Sequence, residues 1–398
     1  MNKVLLVSYY FPPMGLGGTQ RVVSFARYLQ EFGWDVYVLT SGGVRYIAED
    51  RTLDMPDVDV LRVKDPLGFR GGVGGGRMRF SWVREVFFPD PRVFWAVRAL
   101  SSAVALVRRE KIEVVLTSAP PLSVHLIGYA LSRKGVRWVA DFRDPVVGSY
   151  FEVGEPLREA FLRWFERKVV GVADASVAVV PGIAKEMEHR TGRQVFFLPN
   201  GYDDREFSQL ECEASRDGFV FVWCGSVTPL RDIRILLRGF KKALQLDRNF
   251  REKARVRIIG KCLGVDVRDF VDMHNLSGYV EFVGYLPREV ALCEMLRADA
   301  LLFSLAFVEE NRLVYTGRIF EYLKTKKPIL GIMPDGELSI LLRDFPQAVV
   351  ILSEDENAIA EAFLSIFKGK VNQAREPVEY ERRLLALKLA DLLIQASG

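Results

Sequence analysis

Thr316-Gly317-Arg318-Ile319-Phe320-Glu321-Tyr322-Leu323-Lys324-Thr325-Lys326-Lys327-Pro328-Ile329-Leu330 reads as a helix, its stop and the strand that follows. Thr and Gly suit a helix start. Ile319, Phe320 and Leu323 form one apolar stripe at helical spacing. Lys324, Lys326 and Lys327 gather where positive charge suits a helix C-terminus, and Pro328 marks the stop. Ile329-Leu330-Gly331-Ile332 then reads as a buried strand. The helix mouth, with Gly317 and Arg318, suits an anion, and Glu321 one turn in can accept from sugar hydroxyls. Those two demands together describe a nucleotide diphosphate. A solvated surface helix is the alternative, so the surrounding sequence has to decide.

Outward from that unit, the same alternation recurs. In the second half, strands are expected at Phe219–Cys224, Arg255–Ile259, Tyr279–Val283, Ala300–Ser304, Ile329–Ile332 and Ala348–Leu352, with helical stretches between them. The loop Gly225-Ser226-Val227-Thr228-Pro229-Leu230-Arg231-Asp232 follows the first of these. In the first half, Lys3–Ser8 leads through a Gly-rich loop to a helix over Thr19–Phe32 and a strand at Asp35–Thr40. This is the β-loop-α-β opening of a doubly wound sheet. Further strands are expected at Val58–Val63, Glu113–Thr117, Val136–Asp141, Ala175–Val180 and Gln194–Leu198. Residues 205–217 lose periodicity and mark the boundary. The fold class is therefore α/β, with two Rossmann-like, doubly wound parallel-sheet domains. They are placed at 1–204 and 205–375, and a closing helix in 376–398 is expected to pack back on the first domain.

Dinucleotide binding is disfavoured. Gln20 stands where the third Gly of G-x-G-x-x-G belongs, and Val38-Leu39-Thr40-Ser41 brings no acid for an adenosine ribose. Gly15, Gly17 and Gly18 still let backbone amides approach a ligand. Asp57-Val58-Asp59, a D-x-D at a strand start, carries no function in this reading, and no metal-ligand cluster is evident. Cys212, Cys224, Cys262 and Cys293 lack C-x-x-C spacing and read as packing thiols of a reducing compartment. The N-terminus reads as a strand rather than a signal peptide. The longest apolar candidate for a span, Val169–Ala184, is broken by Asp174, Pro181 and Gly182. A cytoplasmic protein is expected.

Two stretches interrupt the pattern. Arg70–Arg109 carries eight Arg against Glu85 and Asp90, a local charge of +6, interleaved with Trp82, Phe87, Phe88, Phe94 and Trp95. It suits either an anionic membrane surface or a helical hairpin with its aromatics turned inward. No nucleic-acid motif accompanies the charge. Asp141-Phe142-Arg143-Asp144-Pro145 follows a strand directly, where α/β sheets place ligand groups, although these charges could equally pair with each other. His125, near a helix start after another strand, is either structural or ligand-facing.

Taken in order, several motifs resemble family 4 retaining glycosyltransferases. They are Tyr9-Tyr10-Phe11-Pro12-Pro13 with the Gly loop and Gln20-Arg21, Asp141-Phe142-Arg143-Asp144-Pro145, Pro199-Asn200-Gly201, Gly225-Ser226 with Arg231, Val283-Gly284-Tyr285-Leu286-Pro287, and Thr316 to Tyr322. The resemblance covers nearly the whole chain and implies the GT-B fold, two facing Rossmann-like domains with the active site in their cleft. It implies that Gly17 and Gly18 face the diphosphate and donor sugar, with Gly225 and Ser226 at the phosphates. Arg231 would grip the diphosphate, the amides of Gly317 and Arg318 would bind phosphate oxygens, and Glu321 would hold the ribose. The backbone of Gly284, Tyr285 and Leu286 would lie against the base. Asp141, Arg143 and Asp144 would stand near the acceptor, with His125 and Gln20 as acceptor-side or auxiliary groups.

The sequence departs from the family in three places. Ser226 replaces the Arg of the common Gly-Arg pair, Leu313 stands where Glu-x7-Glu needs its first Glu, and Arg288 replaces the His that often follows G-Y-x-P. Arg318 offers a substitute for the lost charge. The implied reaction is retaining and metal-independent: the departing diphosphate takes the acceptor's proton while Arg231, Arg318 and helix dipoles stabilise it. The donor expected is a UDP-sugar, then a GDP-sugar, with no other cofactor. The acceptor expected is lipid-linked or a surface polysaccharide at the inner leaflet. The alternatives are a sugar-nucleotide epimerase on the same fold, for which no matching set of acids is seen, and a nucleotide-sugar-binding protein without turnover.

Overall fold

A computed structural model describes residues 2–15, 17–43, 55–67, 87–148, 156–212 and 218–397. The first part of the basic segment that suggested a membrane surface, residues 70–86 with Gly71–Gly76, Arg77, Arg79, Trp82 and Arg84, lies outside the described residues. The chain forms two compact units: Met1–Gly201 with Glu379–Gly398, and Tyr202–Val378.

In the first unit, strands β1 (Asn2–Ser8), β2 (Trp34–Gly42), β3 (Asp59–Lys64), β4 (Val114–Ala119), β5 (Arg137–Phe142), β6 (Ala175–Ala178) and β7 (Phe196–Phe197) form a seven-stranded sheet. Its order is β3-β2-β1-β4-β5-β6-β7, and every pairing is parallel. Val4, Leu5, Leu6 and Val7 are all 0% exposed, which is why the central strands read as continuous apolar runs. The helices are α1 (Gly17–Glu31), α2 (Val93–Glu110), α3 (Val124–Ser132), α4 (Pro156–Val172) and α5 (Pro181–Thr191). Strand order reverses between β1 and β4, so the crevice for a ligand lies beyond the C-terminal ends of these strands.

The second unit holds α6 (Asp204–Ser208), β8 (Phe219–Cys224), α7 (Arg234–Leu246), α8 (Arg248–Lys253), β9 (Ala254–Ile259), α9 (Val267–Met273), β10 (Val280–Gly284), α10 (Arg288–Arg297), β11 (Ala300–Ser304), α11 (Gly317–Lys324), β12 (Ile329–Ile332), α12 (Glu337–Arg343), β13 (Ala348–Ile351) and α13 (Glu356–Phe367). The order β10-β9-β8-β11-β12-β13, again all parallel, repeats the doubly wound plan with its switch point between β8 and β11. Phe221, Phe240, Phe250 and Phe363 fill one face, with neighbouring ring centroids 4.9–6.3 Å apart. Gly239 on α7 lets α13 approach, since a Cβ there would lie 2.2 Å from Ile359 Cγ2.

Helix α14 (Arg382–Ser397) returns to the first unit. Leu385, Leu389 and Leu393 are at most 1% exposed and share a core with Val22, Phe25, Ala26 and Leu29 of α1. Burying each leucine is worth about 1.5–3 kcal/mol. The unit boundary lies at Gly201/Tyr202, slightly before the aperiodic stretch. Ion pairs explain the difference: Asp204 binds Lys324 and Glu206 binds Arg288, so α6 packs with the second unit.

Two sequence expectations need correction and one open alternative is decided. Cys212 and Cys293 form a disulfide, with Cα atoms 5.4 Å apart across a sequence separation of 81, so they are not packing thiols. Cys224 is a buried free thiol and Cys262 an exposed one. Of the two readings of the aromatics in the basic segment, Trp95 takes the inward one: it is 0% exposed and donates to Val63 O at 3.1 Å. Finally, α11 ends at Lys324, and Lys326 adopts φ +60° beyond the cap, so Lys326 and Lys327 lie outside the last turn. Among the described residues no helix is long and apolar enough to cross a membrane.

Candidate functional site

At the C-terminal edge of the first sheet, Asp141 ends β5 and Arg21 comes from α1. Arg21 Nη2 donates to Asp141 Oδ1 at 2.8 Å, and Nε to Oδ2 at 3.0 Å. Ser118 Oγ donates to Oδ2 at 2.7 Å, and Arg21 Nη1 reaches Pro199 O at 2.7 Å. Asp141 is 0% exposed and Arg21 is 2% exposed. A paired, saturated and fully buried carboxylate cannot touch an acceptor, so the expectation for Asp141 is corrected: it joins β5, β4, α1 and the segment after β7.

Arg143 is likewise committed to main chain. Its Nε donates to Ala119 O at 2.8 Å, its Nη2 to Pro120 O at 2.9 Å, and its Nη1 to Gly18 O. A Cβ on Gly18 would lie 2.7 Å from Nη1, so glycine is needed there for the guanidinium to close on α1. Burial pulls the Arg143 pKa below its ordinary value, against the pull of Asp141 and Asp144. Gly17 and Gly18 form the first turn of α1, whose amides are the unsatisfied donors of a helix start. Gln20 is 9% exposed on the same helix, and Asp144 is exposed beyond β5.

His125 is 0% exposed on α3. Its Nδ1 lies 2.8 Å from Thr117 Oγ1, which also accepts from Trp138 Nε1 at 2.8 Å. Burial drives the His125 pKa down to about 3, against a weaker opposing pull from Asp141, so the ring is neutral. Its Nε2 and the buried Thr19 Oγ1 of α1 have no hydrogen-bond partner among the described residues. A buried unpaired polar atom costs about 1–3 kcal/mol, which a ligand oxygen could recover.

At the same edge of the second sheet, Gly225 leaves β8 at φ +147°. A Cβ on Gly260 would lie 2.2 Å from Gly225 O, so these two chain segments meet at bare backbone. Ser226 and Arg231 are exposed. The Arg231 turn is fastened from three sides: Leu230 O accepts from Ala306 N at 3.0 Å and Asn311 Nδ2 at 3.2 Å, and Asp232 O accepts from Ser304 Oγ at 2.8 Å. Leu313 closes the short 3-10 turn Glu309–Leu313, whose Glu309 pairs with Arg312 at 2.9 Å. Gly284 turns at φ +84°, Leu286 is half-buried, and Tyr285 is 45% exposed with Lys261 Nζ 5.8 Å from its ring centre.

Glu321 sits one turn into α11, its side chain 4% exposed. Oε1 accepts from Arg288 Nη2 at 2.8 Å and Oε2 from Arg318 Nη1 at 2.5 Å. Arg288 also grips Glu206 with Nε and Nη2. Burial opposes the Arg288 charge, yet Glu321 and Glu206 hold its pKa above the ordinary arginine value. The chain Glu206–Arg288–Glu321–Arg318 thus ends in a guanidinium whose side chain is 29% exposed. Thr316 Oγ1, buried before α11, does not cap the helix and has no partner among the described residues. Tyr322 Oη accepts from Cys224 N at 2.8 Å and fixes α11 to the end of β8.

Sequence reading missed Glu206, Tyr322, Asn311 and the two orphan threonine hydroxyls. It noticed Arg288 only as a departure. No spacing rule joins Glu206 to Arg288, whereas Tyr322 lay in plain view beside Glu321. A shallow pocket lined by Gly218, Phe219, Lys253 and Phe367 lies at the opposite edge of the second sheet. Among the described residues no group of His, Cys, Asp and Glu could hold a metal.

Residues 17–201 match the family model described as a glycosyl transferase 4-like domain. No curated protein matches the sequence. Solved structures resemble it over nearly its full length. Sucrose-phosphate synthase from Thermosynechococcus elongatus is 16% identical with a TM-score of 0.61, covering 100% of this chain and 96% of that one. AviGT4, a glycosyltransferase involved in avilamycin A biosynthesis, is 13% identical with a TM-score of 0.58, covering 100% and 98%. UDP-GlcNAc 2-epimerase from Neisseria meningitidis, bound to UDP-GlcNAc, is 12% identical with a TM-score of 0.59, covering 99% and 100%. The fold of this chain is that of the GT-B glycosyltransferases.

Proposed function

We propose that the protein is a retaining glycosyltransferase. It moves a sugar from a nucleotide diphosphate sugar, a UDP-sugar before a GDP-sugar, to a lipid-linked or surface-polysaccharide acceptor at the cytoplasmic face of a membrane. The observation that carries this reading is the start of α11. There an arginine with a 29% exposed side chain, a buried carboxylate and an orphan hydroxyl lie within two turns of a helix N-terminus. A helix N-terminus with a guanidinium at its mouth and an acid one turn in suits a diphosphate and a ribose.

Departure of the nucleotide diphosphate builds negative charge that Arg231, Arg318 and the α11 amides neutralise. The leaving phosphate oxygen takes the acceptor hydroxyl's proton as the new glycosidic bond forms on the same face, so the anomeric configuration is kept. The reaction as proposed uses no metal. On the first unit, the α1 amides offer donors to sugar oxygens.

A panel of radiolabelled nucleotide sugars, incubated with lipid-linked acceptors, tests the reading. Transfer with retained configuration is expected. If Arg231→Ala and Glu321→Ala both left donor affinity and turnover untouched, the site assignment would fail. Epimerase neighbours make isomerisation a second reading, and Leu313 in place of the first Glu favours a third, binding without turnover. The product separates them: a glycoside, an epimer, or unchanged donor.

A further inference from the structure

Helix α4 turns an unusual set of side chains outward. Leu157 is 87% exposed and Trp164 53%, although the inner face of the same helix buries Leu162, Phe165, Val169 and Val170. The apolar surface continues beyond the helix. Phe161 lies 5.5 Å from Trp164 and 4.7 Å from Phe88, ring centre to ring centre. The neighbouring Phe87 lies 4.8 Å from Phe94 at the start of α2. Phe94 and Val97 extend the surface, at 38% and 68% exposed. These ring contacts, through the adjacent Phe87 and Phe88, link the exposed apolar side chains of two helices into one band.

Its margin is basic. Arg163, Arg167 and Lys168 flank Trp164, and Arg98 flanks Val97, all of them exposed. The acid on the outer face of α4 is Glu159, already paired with Arg163 at 2.7 Å. Position matters as well. Crossover helices of a parallel sheet run back against the strands, so the first turns of α2 and α4 lie at the C-terminal edge. Leu157 and Phe94 therefore stand at the edge that carries Arg143 and the start of α1.

We propose that this band docks on a bilayer containing anionic lipid. Leu157, Phe161, Trp164 and Val97 enter the headgroup boundary while Arg98, Arg163, Arg167 and Lys168 meet the phosphates. Charge decides between occupants. A second copy in a two-fold contact would set this basic margin against itself, whereas an anionic surface complements it. The surface differs from a simple basic-aromatic segment: α4 supplies half of it, and Trp95, inside that segment, belongs to the core.

Sedimentation of the full chain with vesicles, without donor or acceptor, tests this. Vesicles of phosphatidylcholine with about 30% phosphatidylglycerol should bind it, pure phosphatidylcholine much less, and raised salt should weaken the binding. The double variant Leu157→Glu, Trp164→Glu should lose at least about tenfold in partitioning at an unchanged melting temperature. Arg163→Gln with Lys168→Gln should remove part of the salt dependence. Equal binding by the double glutamate variant, or no preference for anionic vesicles, overturns the proposal. So does a dimer in light scattering that Trp164→Glu dissolves, which would give the band to a second copy. Because the readout is partitioning alone, its failure leaves the transfer reaction untouched, and failed transfer leaves the docking surface standing.

Discussion

At the C-terminal edge of the first sheet, Asp141 and Arg21 close on each other and on Ser118 and Pro199, both nearly inaccessible. At the same edge of the second sheet, Glu321 is also held by arginines, but its chain of charges runs outward to Arg318. The residue types match and the roles differ. In the first unit the arginine donors end on main-chain carbonyls and a buried acid, which ties strands and helix together. In the second unit the arginines end on carboxylates, and the last of them, Arg318, keeps a side chain 29% exposed. What a charged residue does at a sheet edge follows from where its last hydrogen bond goes.

The largest effect should come from breaking the closed pair. Asp141→Ala leaves Arg21 buried and uncompensated, and a loss of about 3–5 kcal/mol in unfolding free energy is expected. Denaturant melts measure it. A variant of normal stability and no activity would reverse the assignment of the two edges. Next comes the disulfide, which closes a long loop from the segment after α6 to α10. Cys212→Ser with Cys293→Ser, or reductant, should cost about 2–4 kcal/mol and lower the melting temperature of the second unit.

The open chain should behave differently. Arg318→Ala and Arg231→Ala are expected to weaken donor binding by about 1.5–3 kcal/mol each, the worth of a hydrogen bond to a charged group. Melting temperature without ligand should stay close to that of the parent. Calorimetric titration with UDP and GDP would sharpen the comparison, and a stability loss as large as that of Asp141→Ala would erase it.

The smallest effect is a slope. His125 has a folded pKa of about 3 against an ordinary 6.5. Between these values the unfolded chain binds a proton that the native chain refuses, so this contribution to stability is full above pH 6.5 and falls as pH drops toward 3. His125→Gln should flatten that limb of the stability–pH curve by up to about one proton and leave the slope above it alone. An unchanged acid limb would mean that the imidazole is not held neutral.

Both sheets were legible because parallel strands covered on two faces are continuous apolar runs. Val4–Val7 and Ala300–Ser304 announce themselves without any partner being known. The start of α11 was legible too, since Gly317, Arg318 and Glu321 lie within one turn and their spacing states their geometry. The sequence left open whether Asp141 and Arg143 face a ligand or pair within the protein, because their partners, Arg21 and Gly18, come more than a hundred residues earlier. The Cys212–Cys293 bond is hidden for the same reason, as is the difference between Trp95 in the core and Phe94 at the surface. Sequence displays residue types in a row, and long-range pairing decides which of them remain available.

Helix α14 finishes the core begun by α1, and the whole second unit lies between them in chain order. On a ribosome, the first unit therefore emerges with Val22, Phe25 and Leu29 lacking their cover, and waits for everything downstream. A nascent chain stalled before Arg382 should still be cut readily by protease within the first unit, while its second unit resists. Early resistance of both would show that the closing helix is dispensable to the order of assembly.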